Sequence, residues 1–192
     1  MKRRVVITGL GIVSPVGNDI PTAWDNIVNG RSGIGRITRF DPSALTAQIA
    51  GEVKDFDLTL YISSKEAKQM DTFIHYGVVA GMQAWKDCGL DINSINAERV
   101  GVIVGSGIGG LPRIEETQKD YLERGPRRIS PFFVPGSLVN LVSGQLSIGL
   151  GLKGPSYAVV SACTTGLHSI GDAARLIEYG DADVMIAGGA ES

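Results

Sequence analysis

Short apolar runs alternate along this chain with longer segments whose apolar residues recur at helical spacing. The short runs are rich in β-branched residues and predict strands at residues 4–8, 99–104, 155–160 and 183–187. The periodic segments predict helices over residues 20–29, 64–89, 114–123, 137–150 and 166–179. Strands that alternate with helices predict an α/β fold with a mostly parallel sheet that helices cover on both faces.

Local sequence signals define the start of one of these helices and a break in another. Asp19 is a predicted N-cap with Pro21 in the first turn behind it. In the long segment 64–89, Asp71, Thr72 and Gly77 are the predicted positions of a break.

Cys163 lies where the predicted strand 155–160 gives way to the helix that follows it. Free backbone amides and the positive end of a helix dipole stabilise a thiolate at such a position, and the amide of the cysteine could help to bind an oxyanion. Thr164, Thr165 and Gly166 are small enough for a sharp turn and for close approach of a substrate. The alternative is that the cysteine only fills the core, as lone cysteines usually do.

Composition narrows the class of protein. The chain has 192 residues, is 43% hydrophobic and carries a net charge of −2, which fits a substantial core and gives no general attraction to nucleic acid or membranes. No long apolar segment suggests a signal peptide or a membrane span. Two cysteines form neither a disulfide framework nor a metal site, so the predicted compartment is a reducing cytoplasm.

The segment Gly105–Gly110 matches the G-x-G-x-x-G pattern that binds dinucleotides. A dinucleotide-binding unit also needs a second strand that ends in an acidic residue about 20 positions later. In this chain a predicted polar helix and a proline-rich loop occupy that region. We therefore interpret these glycines as allowing close packing or lining a pocket.

The two histidines do not form a convincing dyad with Cys163. His168 follows the cysteine by five positions, an offset of about 140° on a helix, so the two side chains point to different faces. His75 has no metal-ligand partner at helical spacing and is interpreted as structural. Cys88, at a helix end, is interpreted as packing.

Six sequence blocks together resemble the β-ketoacyl-acyl carrier protein synthases of the thiolase-like superfamily, and most closely the type II elongation synthase of bacterial fatty-acid synthesis. The blocks are RVVITGLG at 4–11, SPVG at 14–17, GSGIGG at 105–110, ISPFFVP at 129–135, SACTTG at 161–166, and GDAD through GGAE over 180–191. The resemblance runs from end to end of the chain.

The resemblance implies a layered α-β-α-β-α sandwich, of which residues 1–192 would supply the N-terminal half, with a mostly parallel, mixed five-stranded sheet. It also implies a homodimer and a condensing acyltransferase. Cys163 would take an acyl group from acyl carrier protein. Malonyl carrier protein would then lose carbon dioxide and attack the thioester to give a 3-oxoacyl product. The substrates travel on the phosphopantetheine arm of the carrier protein, so no separate cofactor or metal is expected.

The resemblance also assigns roles to particular residues. Cys163 would be the nucleophile, and its backbone amide an oxyanion donor. Ile108 would gate the acyl pocket beside Gly107 and Ala162, and Phe133 would reach that pocket from the partner subunit. Four basic residues would dock the acidic carrier protein: Lys65, Lys68, Arg127 and Arg128. Gln69 stands at a place that is often basic in relatives, so one docking contact is expected to be weaker.

The family's catalytic histidines, supporting lysine and second oxyanion donor belong to its C-terminal half, and neither His75 nor His168 occupies their motifs. We therefore expect this chain alone to be inactive in condensation and to expose an apolar surface that favours self-association. Ordinary surface charge is the alternative for the four basic residues. For the chain as a whole, the alternatives are a polyketide-type ketosynthase, a non-catalytic chain-length partner, which typically lacks the cysteine, and a nucleotide-binding domain.

Overall fold

The computed structural model describes residues 3–192. Its helices are α1 (Ile20–Val28), α2 (Ser64–Ala67), α3 (Thr72–Cys88), α4 (Leu111–Arg124), α5 (Phe133–Ser137), α6 (Leu141–Leu150) and α7 (Thr165–Tyr179). Its strands are β1 (Gly35–Arg36), β2 (Ile49–Ala50), β3 (Val100–Gly105), β4 (Ser156–Tyr157) and β5 (Val184–Gly189). None of the helices within the described range combines the length and apolar character that crossing a membrane requires.

The central sheet has the strand order β4-β3-β5, with both pairings parallel. The middle strand β3 is buried along its whole length, because helices cover both of its faces. A separate antiparallel pair, β1 and β2, lies in the segment between α1 and α2. The predicted α/β class, with a parallel sheet between helical layers, is confirmed.

One face of the sheet packs against α3 and α6. Val100, Val102 and Val104 of β3 point to this face and belong to the same buried cluster as Phe73 and Leu146. The two helices approach closely because glycine occupies the contact: a Cβ on Gly77 would lie 2.5 Å from Val142, and one on Gly81 would lie 2.5 Å from Leu146.

Helix α7 covers the opposite face. Thr165 is the first residue of α7, and a Cβ added to Gly105, at the end of β3, would lie 2.6 Å from its methyl group. Since alternate residues of a strand point to opposite faces, β3 separates the layer of α3 and α6 from that of α7. The carboxyl ends of β3 and β5 therefore meet the start of α7.

The predicted strand at residues 4–8 is wrong, because the structure forms no ladder there. The extended segment is instead anchored to side chains of α3 just after this stretch, where Leu10 N donates to Asp87 and Ile12 N to Gln83. Residues 5–9 line an apolar groove whose other wall includes residues 184–187 of β5. The sheet of the described residues accordingly has three strands and not the five expected of the half-domain.

Other boundaries shift in smaller ways. The break in the long helical segment falls between α2 and α3, with Asp71 before Thr72 as predicted, whereas Gly77 continues the helix. The strand predicted at 155–160 shrinks to the two residues of β4. The helix predicted over 137–150 begins only at Leu141, as α6, because Ser137 ends α5 and the backbone is extended at Leu138.

An ion-pair cluster ties the start of β3 to the segment before β5. The Arg99 side chain donates two hydrogen bonds to Asp183, at 3.0 and 2.9 Å, and one to the carbonyl of Gly180 at 2.7 Å. Arg3 donates a further bond to Asp183. The guanidinium of Arg99, and secondarily that of Arg3, holds the pKa of the Asp183 carboxyl well below its usual range.

We expect Asp183→Asn to lower the urea midpoint at pH 7 and pH 5, and to lower it by less at pH 3. A carboxyl whose pKa is depressed by folding stabilises the fold fully above its unfolded pKa, about 3.9, and this contribution is lost progressively as the pH falls from about 4 toward the depressed pKa of the folded state. Urea titrations at pH 7, 5 and 3 measure the difference. Glu116→Gln, at an exposed carboxyl on α4, is the matched control. Parallel pH curves for wild type and Asp183→Asn would contradict the assignment.

Candidate active site

Cys163 is exposed on a sharp turn between the sheet and α7. The turn is a single 3-10 turn over Ala162–Thr164, and α7 continues from it at Thr165. Ala162 has a φ of 51°, the left-handed conformation that a side chain rarely adopts. This strained residue directs the following cysteine outward at the start of a helix, as the structure of a nucleophile elbow requires.

Hydrogen bonds between Ser161 and residues in the first turns of α7 hold this turn in place. Ser161 N donates to the Thr165 hydroxyl at 2.9 Å, and the buried Ser169 hydroxyl donates to the Thr165 carbonyl at 2.9 Å. The Ser161 hydroxyl and Nδ1 of His168 lie 2.7 Å apart. Cys163 itself lies in the first turn of the helical stretch, where backbone N–H groups have no carbonyl of a preceding turn to bond.

A cavity of about 530 Å³ lies in front of the cysteine. Its walls come from the ends of β3 and β5 and from the turn, which the fold brings to one edge of the sheet. The lining residues are Gly105, Ser106, Gly107, Ile108, Ala162, Cys163, Thr165, Gly166, Gly189, Ala190 and Glu191. The structure therefore gathers four of the predicted site residues, Gly107, Ile108, Ala162 and Cys163, around one cavity.

Among the residues of this cavity that were not predicted to take part in the site are two polar ones, Ser106 and Glu191. Glu191 accepts hydrogen bonds from the Ser106 hydroxyl at 2.5 Å and from Gly107 N at 2.7 Å. The signal that could have found them is positional: Ser106 follows β3 and Glu191 follows β5. The carboxyl ends of adjacent parallel strands meet at the same edge of a sheet.

The histidines lie apart from the cavity lining. Nε2 of His75 bonds the Ala67 carbonyl at 2.9 Å and so ties α3 to the end of α2. Burial lowers the pKa of this half-buried imidazole, which favours its neutral form. His168 is exposed and contacts Ser161, so neither histidine pairs with Cys163 as a base. Cys88 is half-buried and donates to the Trp85 carbonyl, as a packing residue would.

The remaining predicted residues lie on other parts of the surface. Phe133 begins α5 and is half-buried outside the lining of the Cys163 cavity. The predicted docking residues are all exposed: Lys65, Lys68, Arg127 and Arg128. The two pairs flank α4, because the Lys68 carbonyl accepts from Arg113 in its first turn while the arginines follow its last residue. A helix of 14 residues is about 21 Å long, so one copy of the chain spreads these charges apart.

The described residues contain no group of three or more histidine, cysteine, aspartate or glutamate side chains placed to hold a metal ion. The site therefore combines an exposed cysteine sulfur on a strained turn, helix-start amides beside it, and a cavity in front of it. This combination is typical of sites at which a cysteine forms a covalent intermediate.

The chain belongs to the β-ketoacyl synthase family, since the profile described as "Beta-ketoacyl synthase, N-terminal domain" matches residues 2–192. Among curated proteins it is similar to 3-oxoacyl-[acyl-carrier-protein] synthase 2 of Vibrio harveyi, with 56% identity, and of Coxiella burnetii, with 54%. Each similarity covers 99% of this chain and 46% of the relative. The chain therefore spans about half the length of the curated relatives it matches.

The solved structures that superimpose on the chain are also ketosynthases. The ishigamide ketosynthase/chain length factor superimposes with a TM-score of 0.89 at 28% identity, over 100% of this chain and 48% of that one. A type II polyketide synthase acyl-carrier protein in complex with its ketosynthase, bound to the hexaketide, gives 0.84 at 29% identity, over 100% and 51%. These likenesses confirm the thiolase-like fold expected of the sequence.

Proposed function

We propose that this chain is the nucleophile-bearing N-terminal half of a 3-oxoacyl-acyl carrier protein synthase that elongates fatty acyl chains. The observation that carries the proposal is Cys163, exposed on a strained turn at the start of α7 and facing a cavity that Ile108 also lines. Membership of the β-ketoacyl synthase family supports it.

In the first step the Cys163 sulfur attacks the thioester carbonyl of an acyl carrier protein. A carbon–sulfur bond forms to the cysteine, the bond to the phosphopantetheine sulfur breaks, and the cysteine proton ends on the departing thiol. The carbonyl oxygen carries negative charge in between, and the backbone N–H of Cys163 would stabilise it. The acyl chain would extend into the cavity past Ile108.

In the second step a malonyl carrier protein loses carbon dioxide, and the electron pair of the broken bond attacks the acyl-cysteine carbonyl. A carbon–carbon bond forms, and the cysteine leaves as a thiolate. The product is a 3-oxoacyl carrier protein two carbons longer than the starting chain. The groups that stabilise the decarboxylation are proposed to come from the portion of the relatives that this chain does not span.

The partner in both steps would be an acidic carrier protein, whose phosphopantetheine arm delivers the substrates without a further cofactor. Lys65, Lys68, Arg127 and Arg128 are proposed to dock it, mainly by speeding association. Their separation along α4 fits a docking surface built from two subunits better than one on a single copy. One solved relative, an acyl-carrier protein in complex with its ketosynthase, supports this kind of partner.

A homodimer is the proposed assembly, with Phe133 reaching the pocket of the partner subunit. β4 is an edge strand of the central sheet. Tyr157 in this strand and Val160 just after it expose 40% and 53% of their surface. Apolar side chains along an open strand edge favour pairing with a second chain. These features support the proposed dimer, with a contact near the turn that holds Cys163.

A polyketide-type ketosynthase is the second candidate, because one solved structure that superimposes on the chain is a type II polyketide synthase complex. The curated 3-oxoacyl-[acyl-carrier-protein] synthase 2 relatives share 50–56% identity with the chain, against 28–29% for the two solved ketosynthase structures. Identity therefore favours the fatty-acid elongation enzyme, and comparison of simple acyl with polyketide substrates separates the two.

The test is the intact mass of the chain after incubation with an octanoyl carrier protein. We expect a single acyl adduct that is absent from Cys163→Ala and retained in Cys88→Ala, the matched control at the other cysteine. The reason is that the turn and the amides around Cys163 are already formed within this chain. If the chain joined to the C-terminal half of the Vibrio harveyi relative also stays unmodified, Cys163 is not the acyl acceptor.

A further inference from the structure

The loop that carries Ile108 is held by a carboxylate on a different strand. Glu191, just beyond β5, accepts from the Ser106 hydroxyl with one oxygen, at 2.5 Å, and from Gly107 N with the other, at 2.7 Å. Both bonds go to a charged acceptor and are therefore stronger than bonds between neutral groups. One side chain thus fixes two consecutive residues immediately before Ile108.

The anchor continues to the far side of Ile108. Ser106 is 1% exposed, and its hydroxyl oxygen accepts from Gly109 N at 2.8 Å while its proton is given to Glu191. The amides of Gly107 and Gly109 are therefore both tied to this pair, directly or through Ser106. Ile108 between them makes its turn with a side chain that is 62% exposed and lines the Cys163 cavity.

The fit between this loop and its surroundings leaves little room for another arrangement. A Cβ on Gly107 would lie 2.8 Å from the Glu191 carboxylate and 3.3 Å from the Cα of Ala162. The loop consequently passes between Glu191 on one side and the turn of Cys163 on the other. A shift of the carboxylate would move the loop toward or away from the sulfur.

We propose that Glu191 is a positioning residue that holds Ile108 through Ser106 and thereby sets which acyl chain lengths are accepted at Cys163. The inference rests on the proposed function, because the selected substrates are acyl thioesters. It adds a residue that touches neither the sulfur nor the acyl chain but fixes the wall that the chain meets.

Glu191→Gln is the variant that tests the proposal. In the amide an NH₂ group replaces one of the two acceptor oxygens, so either Gly107 N or the Ser106 hydroxyl proton loses its acceptor. The bonds that remain are no longer made to a charged group and are weaker. We expect the ratio of acylation rates with butyryl- and lauroyl-pantetheine to change about fivefold, as loss of one ordinary hydrogen bond would give. Hydrogen exchange at the amides of Gly107 and Gly109 should accelerate in the same variant.

Ile108→Ala supplies the second arm, and Glu116→Gln, at an exposed acid on α4, is the matched control. If Glu191 acts through Ile108, the double variant shows no further change in the rate ratio beyond Ile108→Ala alone. Ser106→Ala, which keeps the carboxylate, should shift the ratio in the same direction and serves if Glu191→Gln does not fold.

The outcomes separate the two proposals. An adduct at Cys163 with an unchanged rate ratio in both Glu191→Gln and Ser106→Ala overturns this inference and leaves the proposed function standing. A folded wild-type chain that takes no acyl group, alone or joined to the half of a relative, overturns the proposed function together with the length selection.

Discussion

The 192-residue chain alone is expected to form acyl-Cys163 yet to yield no measurable 3-oxoacyl product. Loss of carbon dioxide from the malonyl thioester leaves negative charge on an enolate oxygen, and enzymes stabilise that charge with donors placed in advance. The two histidines of the sequence are committed elsewhere: His75 bonds the Ala67 carbonyl, and His168 bonds Ser161. Neither lines the cavity in front of the sulfur.

The expected difference is large. Removal of a single oxyanion donor typically costs a factor of about 10²–10³, and loss of a general acid or base about 10²–10⁴. We therefore expect the chain joined to the C-terminal half of the Vibrio harveyi relative to make product at least about a thousandfold faster. Product is measured by mass spectrometry of the carrier protein, with acyl-Cys163 quantified in the same samples.

The acyl-Cys163 signal is the internal control for this experiment. A chain that is acylated but inert shows that the first half-reaction resides in these residues and the second does not. Condensation by the chain alone within about tenfold of the joined protein would mean that its own residues stabilise the enolate, against the geometry described. His168→Gln would then show whether that imidazole is responsible.

Gly105→Ala is expected to destabilise the fold by about 3 kcal/mol, the upper part of the range for overpacking a well-filled site. Its new methyl group would overlap the backbone carbonyl oxygen of Val159 and lie 2.6 Å from the Thr165 methyl. A backbone carbonyl has no other rotamer to adopt, so the strand or the turn has to move. Because Val159 leads into the turn of Cys163, acylation should fall together with stability.

Gly171→Ala is the matched control, since it makes the same chemical change on an exposed position of α7. No atom lies within 4 Å of a Cβ at Gly171, and alanine is the better helix former by about 0.5–1 kcal/mol. The same substitution is thus expected to have opposite signs at the two sites. Urea denaturation measures both, and a neutral Gly105→Ala would show that the end of β3 has room that the structure does not.

The sequence predicted the elements whose determinants are local. Helix α1 begins at Ile20 after the Asp19 cap, as the pattern indicated, because the capping side chain and the following proline act within a few residues. The position of Cys163 at the start of α7 also followed from local signals. A strand run that ends before a helical pattern places the residue between them on a turn.

Pairing between distant segments could not be predicted in this way. Residues 4–8 have the composition of a strand, but a strand needs a ladder partner, and none pairs with them in the described residues. Glu191 shows the same limit at the site. Its hydrogen bonds join residues 84 and 85 positions apart, so no local pattern distinguished it from an ordinary surface carboxylate.

The parallel pairing of β3 with β5 has a consequence for synthesis on the ribosome. About 80 residues separate the end of β3 from the start of β5, and at about 5–20 residues per second the ribosome needs about 4–16 s to make them. During that interval the apolar β3 has no β5 to pair with, while α6 is made and can cover one face of β3. The order in which these segments emerge therefore decides which side of the central strand is protected first.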